Sequence, residues 1–516
     1  MNNIALVKKS TYFDSVTLMG LSKRLSLLPG VLKVSLSMGT ELNQSLLKQS
    51  GMNSEETDAA TPNDLMIALV LEEGVDSREL LEQVERALTR KNNADAGEQV
   101  PARSIRGAID RLQDANLAII SVPGEYAAFE AKRALDNNLH VMLFSDNVSI
   151  EDEIKLKKIA HEKGLLMMGP DCGTAIINQK PLCFANAVQP GSVGIVGASG
   201  TGMQEVISLL DAAGEGISQA IGTGGRDLSN AVGGIMSLDA LDSLSKDEQT
   251  EIIVFVAKAP EVGVIQKIES VVSSYTKPVV LCFLSDKIQP KKKGGVYYVN
   301  SLEQAALSVL QIRSGKGNLM DTEDFGTDKV ALNPPQLNKS QKYVRGVFCG
   351  GTLTNEARMI FKQINPNAPV FCNVSHCEQE ALDDWMKSAG NVFLDMGDDI
   401  FTVGKAHPMI DPELRNQRIY QEALDPEVAV VLFDVVLGYG AHPDPVQSVL
   451  VSINEAKEEL SKQGRDICFV GYVLGTDLDP QNRSFCVEKL RQAGVIVANT
   501  NAQAARIASA LIKEVK

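Results

Sequence analysis

The sequence lacks the cysteine patterns that mark disulfide frameworks, and it has few residues suited to acid–base chemistry near neutral pH. Its 516 residues contain eight cysteines without a CxxC pair, one tryptophan and only five histidines. Scattered cysteines in so long a chain are typical of reduced thiols, as in the cytosol. The scarcity of histidine leaves a short list of candidates for a general base.

Long apolar runs and a concentrated positive charge are also missing. No stretch reaches the ~18–20 apolar residues of a membrane span, and the start, MNNIALVKKS, lacks the features of a secretory signal. The net charge is −15 with scattered basic residues, which argues against nucleic acid or an anionic membrane as a partner. We therefore expect a cytoplasmic protein, and a small anionic substrate stays compatible because one local cationic site can act against a negative background.

What the sequence does contain is an alternation of strand and helix patterns. Continuous apolar runs such as TEIIVFVAKAP (250–260) alternate with stretches that have the apolar spacing of helices. Such alternation predicts right-handed βαβ units and parallel sheets. The predicted fold class is α/β, with several doubly wound parallel-sheet domains behind a small N-terminal α/β domain.

Polar segments that contain proline divide this pattern into domains. One such segment covers 91–104 and another covers 314–341. The predicted parts are an N-terminal α/β domain at 1–100, a Rossmann-like domain at 112–188, an α/β domain at 190–313, a linker at 314–341 and a last α/β domain at 342–516.

Two glycine-rich corners each join a predicted strand to a predicted helix. They are SGTGMQE at 199–205 and GGTLTNE at 350–356, and the chain contains neither a P-loop nor a dinucleotide fingerprint. A helix start offers unpaired N–H groups and partial positive charge, and a hydroxyl adds a donor. We predict that the corners face each other and bind phosphate, although an N-cap and a tight turn would explain either one alone. The predicted phosphate-binding residues are Ser199, Gly200, Thr201, Gly350, Gly351 and Thr352.

Three further side chains are candidates for catalysis. His407 lies in GKAHPMIDPELRNQR (404–418), whose charged residues suit anions, and His442 lies in a polar loop; either could act as general acid or base. Arg226 in GTGGRDL could bind a phosphate or carboxylate through two parallel hydrogen bonds from its guanidinium group. A surface turn formed by Arg226 and Asp227 explains that segment equally well.

Other polar residues are better explained without a site. Cys172 in GPDCGT has no base nearby in the sequence and is expected to be a buried small residue. Four carboxylates could bind magnesium, but solvated acids at strand ends explain them as well, so we predict no metal site. They are Asp395, Asp398, Asp399 and Asp434.

Several of these motifs follow the order seen in the α subunit of succinyl-CoA synthetase. The matching segments are GPDCG (169–173), GSVGIVGASGTG (191–202), GTGGRDL (222–228), TEIIVFVAK (250–258) and KPVVLCF (277–283). NVFLDMGDD (391–399) and EVAVVLFDVVLGYG (427–440) resemble the C-terminal domain of its β subunit. The resemblance implies a domain like the CoA-binding domain at 112–188 and flavodoxin-like CoA-ligase domains at 190–313 and 342–516.

The chain as a whole most closely resembles the FdrA family, which fuses such parts behind a small N-terminal domain. Segments similar to that family include TYFDSVTLMG (11–20), HVMLFSDNVS (140–149) and YVLGTDLDP (472–480). Some FdrA-like proteins resemble a subunit of oxamate carbamoyltransferase in allantoin and purine catabolism. The resemblance therefore implies a transferase subunit that converts oxalurate and phosphate to oxamate and carbamoyl phosphate.

The chain departs from succinyl-CoA synthetase where that enzyme does its chemistry. The stretch 281–299 contains no histidine to carry a phosphoryl group, and no glycine loop for CoA precedes NLAIISVPG (116–124). The ATP-grasp domain of the β subunit is absent. We expect phosphate or an acyl phosphate as the ligand, and neither CoA nor a nucleotide on this chain alone.

These observations lead to one expected function and two alternatives. We expect acyl or carbamoyl transfer with phosphate on a small anionic substrate, together with partner subunits or as a homo-oligomer. The first alternative is a nucleotide-dependent acyl-CoA synthetase that needs partner chains. The second is a non-catalytic scaffold or ligand sensor of the same fold.

Overall fold

The computed structural model divides into two compact units, one made of residues 1–102 and 403–406 and the other of residues 103–402 and 407–516. The residues that the structure describes are 2–11, 13, 18, 21–22, 25–26, 28, 30–40, 43–44, 47–48, 50–72, 81, 84–85, 102–258, 261–285, 288–315, 335, 337–374, 378–402 and 405–514.

The first unit contains a three-stranded antiparallel sheet. Its elements are β1 (Asn2–Lys8), β2 (Val31–Met38), the short helix α1 (Glu55–Asp58) and β3 (Leu65–Leu71). The strand order is β1-β3-β2. Because β3 is central, successive side chains enter apolar clusters on both faces, Ile67 on one and Met66 on the other. The sequence patterns NIALVK (3–8), VLKVSLSM (31–38) and DLMIALVLE (64–72) predict these three strands, whereas the helical patterns at 13–25 and 77–91 lie mostly outside the described residues.

The second unit starts with a small parallel sheet. Its elements are α2 (Ile105–Arg111), β4 (Leu117–Ile120), α3 (Gly124–Asp136), β5 (His140–Leu143), α4 (Ile150–Lys163) and β6 (Met167–Met168). The strand order is β4-β5-β6. Helix α4 begins where Ser149 Oγ accepts a hydrogen bond from Asp152 N (3.1 Å), and it ends at Gly164, whose φ is 66°. A side chain with a Cβ rarely adopts that left-handed backbone, so glycine ends the helix.

An eight-stranded sheet follows and completes the first lobe (residues 103–315). Its strands are β7 (Thr174–Ile177), β8 (Lys180–Cys183), β9 (Pro190–Gly197), β10 (Ile217–Gly222), β11 (Ile252–Lys258), β12 (Val279–Leu284), β13 (Lys291–Lys293) and β14 (Val296–Val299). Its helices are α5 (Gly200–Ala212), α6 (Ile235–Lys246), α7 (Val262–Val272) and α8 (Leu302–Ser314). The order is β13-β14-β12-β11-β9-β10-β7-β8.

The centre of this sheet is parallel and its edges are antiparallel. β9 lies between β10 and β11, parallel to both, while the hairpin of β7 and β8 joins β10 through the pair Ala220 and Ile176. The hairpin therefore belongs to the eight-stranded sheet, although the predicted boundary at residue 188 groups it with the preceding strands.

The second lobe (residues 337–402 and 407–514) contains a six-stranded, fully parallel sheet. Its strands are β15 (Tyr343–Phe348), β16 (Val370–Cys372), β17 (Asn391–Asp395), β18 (Val428–Val436), β19 (Cys468–Leu474) and β20 (Ile496–Ala498). Its helices are α9 (Gly351–Ile364), α10 (Asp399–Thr402), α11 (Glu413–Leu424), α12 (Pro445–Lys462), α13 (Arg483–Gln492) and α14 (Asn501–Glu514). The order is β16-β17-β15-β18-β19-β20.

The two lobes share a hydrophobic core. One cluster of buried residues includes Val206 of α5 and Val254 of β11 in the first lobe, and Phe348, Leu353 and Ala357 in the second. Apolar burial on this scale stabilises a fixed arrangement, so the starts of α5 and α9 are held in place by packing.

The predicted α/β class with several parallel sheets is confirmed. Across the part of the chain that the structure describes, no helix combines the length and the apolar content needed to cross a membrane.

Candidate functional site

The first corner caps helix α5 with a hydroxyl. Ser199 has an extended backbone (φ −147°, ψ 119°), and its Oγ accepts a hydrogen bond from Gly202 N at 3.2 Å. This satisfies one of the free N–H groups of the first turn. Glycine suits position 202, because the Cβ of any other residue there would lie 3.0 Å from both Ser199 Oγ and Thr352 Cγ2.

The second corner leaves helix α9 without a capping side chain, because its N-cap residue is Gly350. The residue before it, Cys349, donates its backbone N–H to Asp434 Oδ1 at 2.8 Å, which ties the end of β15 to β18. The first turn of α9 therefore starts at a fixed place with N–H groups that residue 350 does not satisfy.

The two corners touch each other. The hydroxyl groups of Ser199 and Thr352 share a hydrogen bond, and a Cβ on Gly350 would lie 2.5 Å from Thr201 Cγ2. The structure thus brings the predicted residues of both corners together. It also leaves no room for an anion between Thr201 and Gly350, so a ligand of both helix starts would lie beside this contact, over Gly351.

Charged side chains from both lobes flank Gly351. Lys258, at the end of β11, and Asp395, at the end of β17, approach it so closely that a Cβ there would lie 3.0 Å from Lys258 Nζ and 2.6 Å from Asp395 Oδ2. Loss of solvation raises the pKa of Asp395 to about 6, against the opposing effects of Lys258 and of a hydrogen bond from Gly397 N. No carboxylate among the described residues forms an ion pair with Lys258.

A second carboxyl, that of Asp171, is influenced by the charge of the same ammonium group. It lies in the loop after β6 with part of its side chain open to solvent. Loss of solvation, followed by the charge of Asp146, raises its pKa to about 6, while Lys258 and Arg226 oppose the shift. Two carboxyl groups whose pKa is raised to about 6 are therefore both influenced by the charge of one lysine.

Lys258 is a residue beside Gly351 that the sequence prediction missed. It ends a continuous apolar run, and ligands of open α/β sheets bind at the carboxyl ends of the strands. Its position at the carboxyl end of a predicted strand was the signal in the sequence that could have identified it. Asp395 was considered only as a magnesium ligand, and none of the described residues form a group of three or more His, Cys, Asp or Glu side chains arranged to hold a metal ion.

His407 packs near the second corner. Its Nε2 would collide with a Cβ added to Gly397, so the ring packs directly on that glycine. Its Nδ1 accepts a hydrogen bond from Met409 N at 3.2 Å, and the centre of its ring lies 6.1 Å from that of Phe184. Loss of solvation lowers its pKa to about 4. The ring is therefore neutral at pH 7 and carries its hydrogen on Nε2, because Nδ1 is the acceptor.

His442 occupies the loop that starts helix α12. Its backbone N–H donates to Met409 O at 2.7 Å, and its Nδ1 accepts a hydrogen bond from Asp444 N at 3.1 Å. These contacts order the loop, and a catalytic role for His442 stays a prediction.

Arg226 contacts helix α4 and the segment before it rather than the corners. Its Nε lies 2.9 Å from Glu153 Oε2, and its Nη2 donates to Val148 O at 2.8 Å. Its charge still opposes the rise in the pKa of Asp171. Direct contact with a substrate stays a prediction.

The alternative of a surface turn at Arg226 and Asp227 is wrong for Asp227, which is fully buried. Asp227 accepts hydrogen bonds from Lys157 Nζ (2.9 Å) and from Ser237 N (2.8 Å). Lys157 is also buried and bonds to Glu153 Oε1 at 2.7 Å. The GTGGRDL segment therefore anchors α4 and α6 to the sheet.

Cys172 agrees with the expected buried role. It is 2% exposed, and burial raises its pKa to about 12. A thiol that stays protonated is a poor nucleophile.

Three family models match the chain. One described as CoA-ligase covers residues 347–511, one described as CoA binding domain covers 188–284, and one described as AllF, heavy metal-associated domain, covers 1–103. The CoA binding domain match contains the first corner and begins at residue 188, the last residue of the segment 112–188 for which the sequence resemblance suggested such a domain. The chain therefore combines CoA-ligase and CoA-binding domains with a separate N-terminal domain.

Relatives and solved structures are similar to the chain over different shares of its length. The uncharacterized protein YahF of Escherichia coli (strain K12) is 44% identical over 507 residues, which is 98% of either chain. The α subunit of ADP-forming succinate–CoA ligase from Staphylococcus aureus (strain Mu50) is 26% identical over 187 residues, which is 35% of this chain and 60% of that subunit. The apo form of dinucleotide-forming acetyl-coenzyme A synthetase 1 from Ca. Korarchaeum cryptofilum aligns with a TM-score of 0.32 at 15% identity, over 78% of this chain and 83% of that one.

Proposed function

The chain belongs to the family of Escherichia coli YahF, and from this premise we propose that it transfers an acyl or carbamoyl group to or from phosphate where its two corners meet. The contact between Ser199 and Thr352 carries this proposal. Each helix start contributes about half a positive charge, and Lys258 adds a full one. Together they complement a phosphate dianion lying over Gly351.

A direct transfer fits the residues that are present. Phosphate attacks a carbonyl carbon without a carrier histidine, and it needs an oriented dianion together with donors for the developing oxyanion. The uncapped N–H groups at the start of α9 and the hydrogen on His407 Nε2 are such donors. Within this class we propose oxalurate as the carbamoyl donor and oxamate as the leaving product, with partner subunits that complete the donor half of the site.

Carbamoyl phosphate formation from oxalurate and phosphate, in the presence of the proteins encoded by neighbouring genes, tests the proposal. The double variant Thr201→Val, Thr352→Val keeps the shape of both corners and removes their hydroxyl groups. We expect a loss of about 100-fold or more, because the variant removes the hydrogen bond between Ser199 and Thr352 that positions the two helix starts. The matched control is Thr402→Val, whose hydroxyl donates to Asp398 O outside the corners. Full activity of the double variant would contradict the proposal, and protection by phosphate without turnover would indicate a ligand sensor.

A second candidate is an acyl-CoA synthetase that takes its nucleotide site from a partner chain. The CoA-ligase and CoA binding domain matches favour it, as does the likeness to the succinate–CoA ligase subunit. Hydrolysis of ATP that depends on an acyl-CoA, or a phosphorylated residue on this chain, would distinguish it from direct transfer to phosphate.

A further inference from the structure

Gly351 is the point where one charged residue from each lobe meets the start of α9. Any side chain there would collide with Lys258 Nζ or Asp395 Oδ2, which lie 3.0 Å and 2.6 Å from the position of its Cβ. Glycine thus lets an ammonium and a carboxyl group from different lobes approach the start of α9 closely. A substrate over Gly351 would contact both.

The surroundings of Asp395 favour a carboxyl group that exchanges a proton. Its Oδ1 accepts a hydrogen bond from Gly397 N at 2.9 Å, while Oδ2 is directed at Gly351. The nearby charges are Lys258 from the end of β11, Asp398 from its own loop and Asp434 from β18, and the neutral His407 lies against Gly397. Burial favours the protonated acid, and Lys258 stabilises the carboxylate that forms when the proton leaves.

We propose that Asp395 gives a proton to the leaving nitrogen of the acyl donor and that Lys258 holds the phosphate over Gly351, an assignment that rests on the proposed transfer to phosphate. The donor is an N-acyl or N-carbamoyl amide. A phosphate oxygen forms the new bond to the carbonyl carbon, and the carbon–nitrogen bond breaks with its electron pair moving to nitrogen. The Asp395 proton neutralises that nitrogen, and in the reverse direction the carboxylate takes the proton back.

Sulfate binding tests the anion site without any turnover, because sulfate keeps two charges throughout the range from pH 5 to 8. We expect sulfate to raise the thermal unfolding temperature of the full chain and Lys258→Met to remove that rise, with Lys258→Arg keeping most of it. Lys267→Met, an exposed lysine on the next helix, is the matched control. Equal protection of wild type and Lys258→Met would overturn the role of Lys258.

The pH dependence of the same binding tests Asp395. A protonated Asp395 does not repel the anion, so protection of the wild type should fall as the pH rises through about 6. Asp395→Asn should bind sulfate with no such fall. Asp171 also titrates near pH 6, and a fall that vanishes in Asp171→Asn but persists in Asp395→Asn would overturn the assignment.

Turnover in the complete complex separates this inference from the function on which it rests. We expect Asp395→Asn to lose about 100-fold or more in kcat with oxalurate, with Asp399→Asn, an exposed carboxylate nearby, as control. If the corner variant is inactive while Asp395→Asn keeps its rate and pH profile, transfer to phosphate stands and the role of Asp395 is wrong. If wild type neither forms carbamoyl phosphate nor is protected by sulfate, both fail.

Discussion

Replacing Glu205 by glutamine should make the protein more stable at alkaline pH and leave it unchanged at acidic pH. Glu205 on α5 and Glu356 on α9 are each the last residue of their corner motif, SGTGMQE and GGTLTNE. Both residues are buried, at 0% and 1% exposure. Asn501 at the start of α14 joins them: its N–H donates to Glu205 Oε1 at 3.3 Å and its Nδ2 to Glu356 Oε2 at 2.8 Å.

The size of the effect follows from the pKa of the two carboxyl groups. Loss of solvation, with the charge of Glu356 as the next cause, raises the pKa of Glu205 from 4.5 to about 8. Loss of solvation likewise raises the pKa of Glu356 to about 7. A raised pKa means that the folded state keeps a proton that the unfolded state releases above pH 4.5, so the free energy of unfolding falls as the pH rises towards 8. At ~1.4 kcal/mol per pH unit, Glu205 costs on the order of 3 kcal/mol at pH 7.

Thermal unfolding of wild type and Glu205→Gln between pH 4.5 and 9 measures this cost. The two proteins should melt together at pH 4.5, and the variant should gain stability steadily up to about pH 8, by a few degrees at the end of the range. Glu455→Gln on the exposed face of α12 is the control and should follow wild type throughout. A Glu205→Gln protein that differs from wild type by the same amount at every pH would refute the reasoning, because the cost would then lie in packing rather than in ionisation.

Three other substitutions test the packing of the corners and of the buried charges, each measured by thermal unfolding. Gly350→Ala should destabilise the protein by about 1–3 kcal/mol because its Cβ would collide with Thr201; Gly295→Ala, with nothing within 4 Å, should have little effect. Ser199→Ala should cost about 1 kcal/mol through the lost helix cap, and Ser199→Thr should recover part of it. Lys157→Met should cost about 3–5 kcal/mol, because Asp227 would stay buried without its cation and Glu153 would keep only Arg226; Lys155→Met on the same helix removes only an exposed ion pair and should change little.

Features set by local chain chemistry could be predicted from the sequence. The apolar run at 250–260 contains strand β11 (Ile252–Lys258), and both glycine corners start helices at the expected residues. Continuous apolar runs and helix-start residues have local causes, so a single sequence is enough to read them.

Features set by long-range packing could not be predicted. Lys258 ends one strand and Asp395 another strand of the other lobe, and only the docking of the two sheets brings both to Gly351. Arg226 shows the same limit, since its basic side chain in a glycine-rich turn suggests an anion site and no local signal reveals that the fold also pairs it with the buried Glu153. The burial of Asp227 follows from the same packing, and no local signal in a polar turn reveals it.

The two corners are similar in sequence but not equivalent in chemistry. Ser199 already occupies the N–H of Gly202 at the start of α5, whereas Gly350 leaves the start of α9 uncapped. An anion should therefore bind asymmetrically, with its hydrogen bonds from α9 in the second lobe and its compensating charge from Lys258 in the first. Since neither lobe carries both contributions, the shared core that docks the lobes is as necessary to the proposed site as any residue that would touch the ligand.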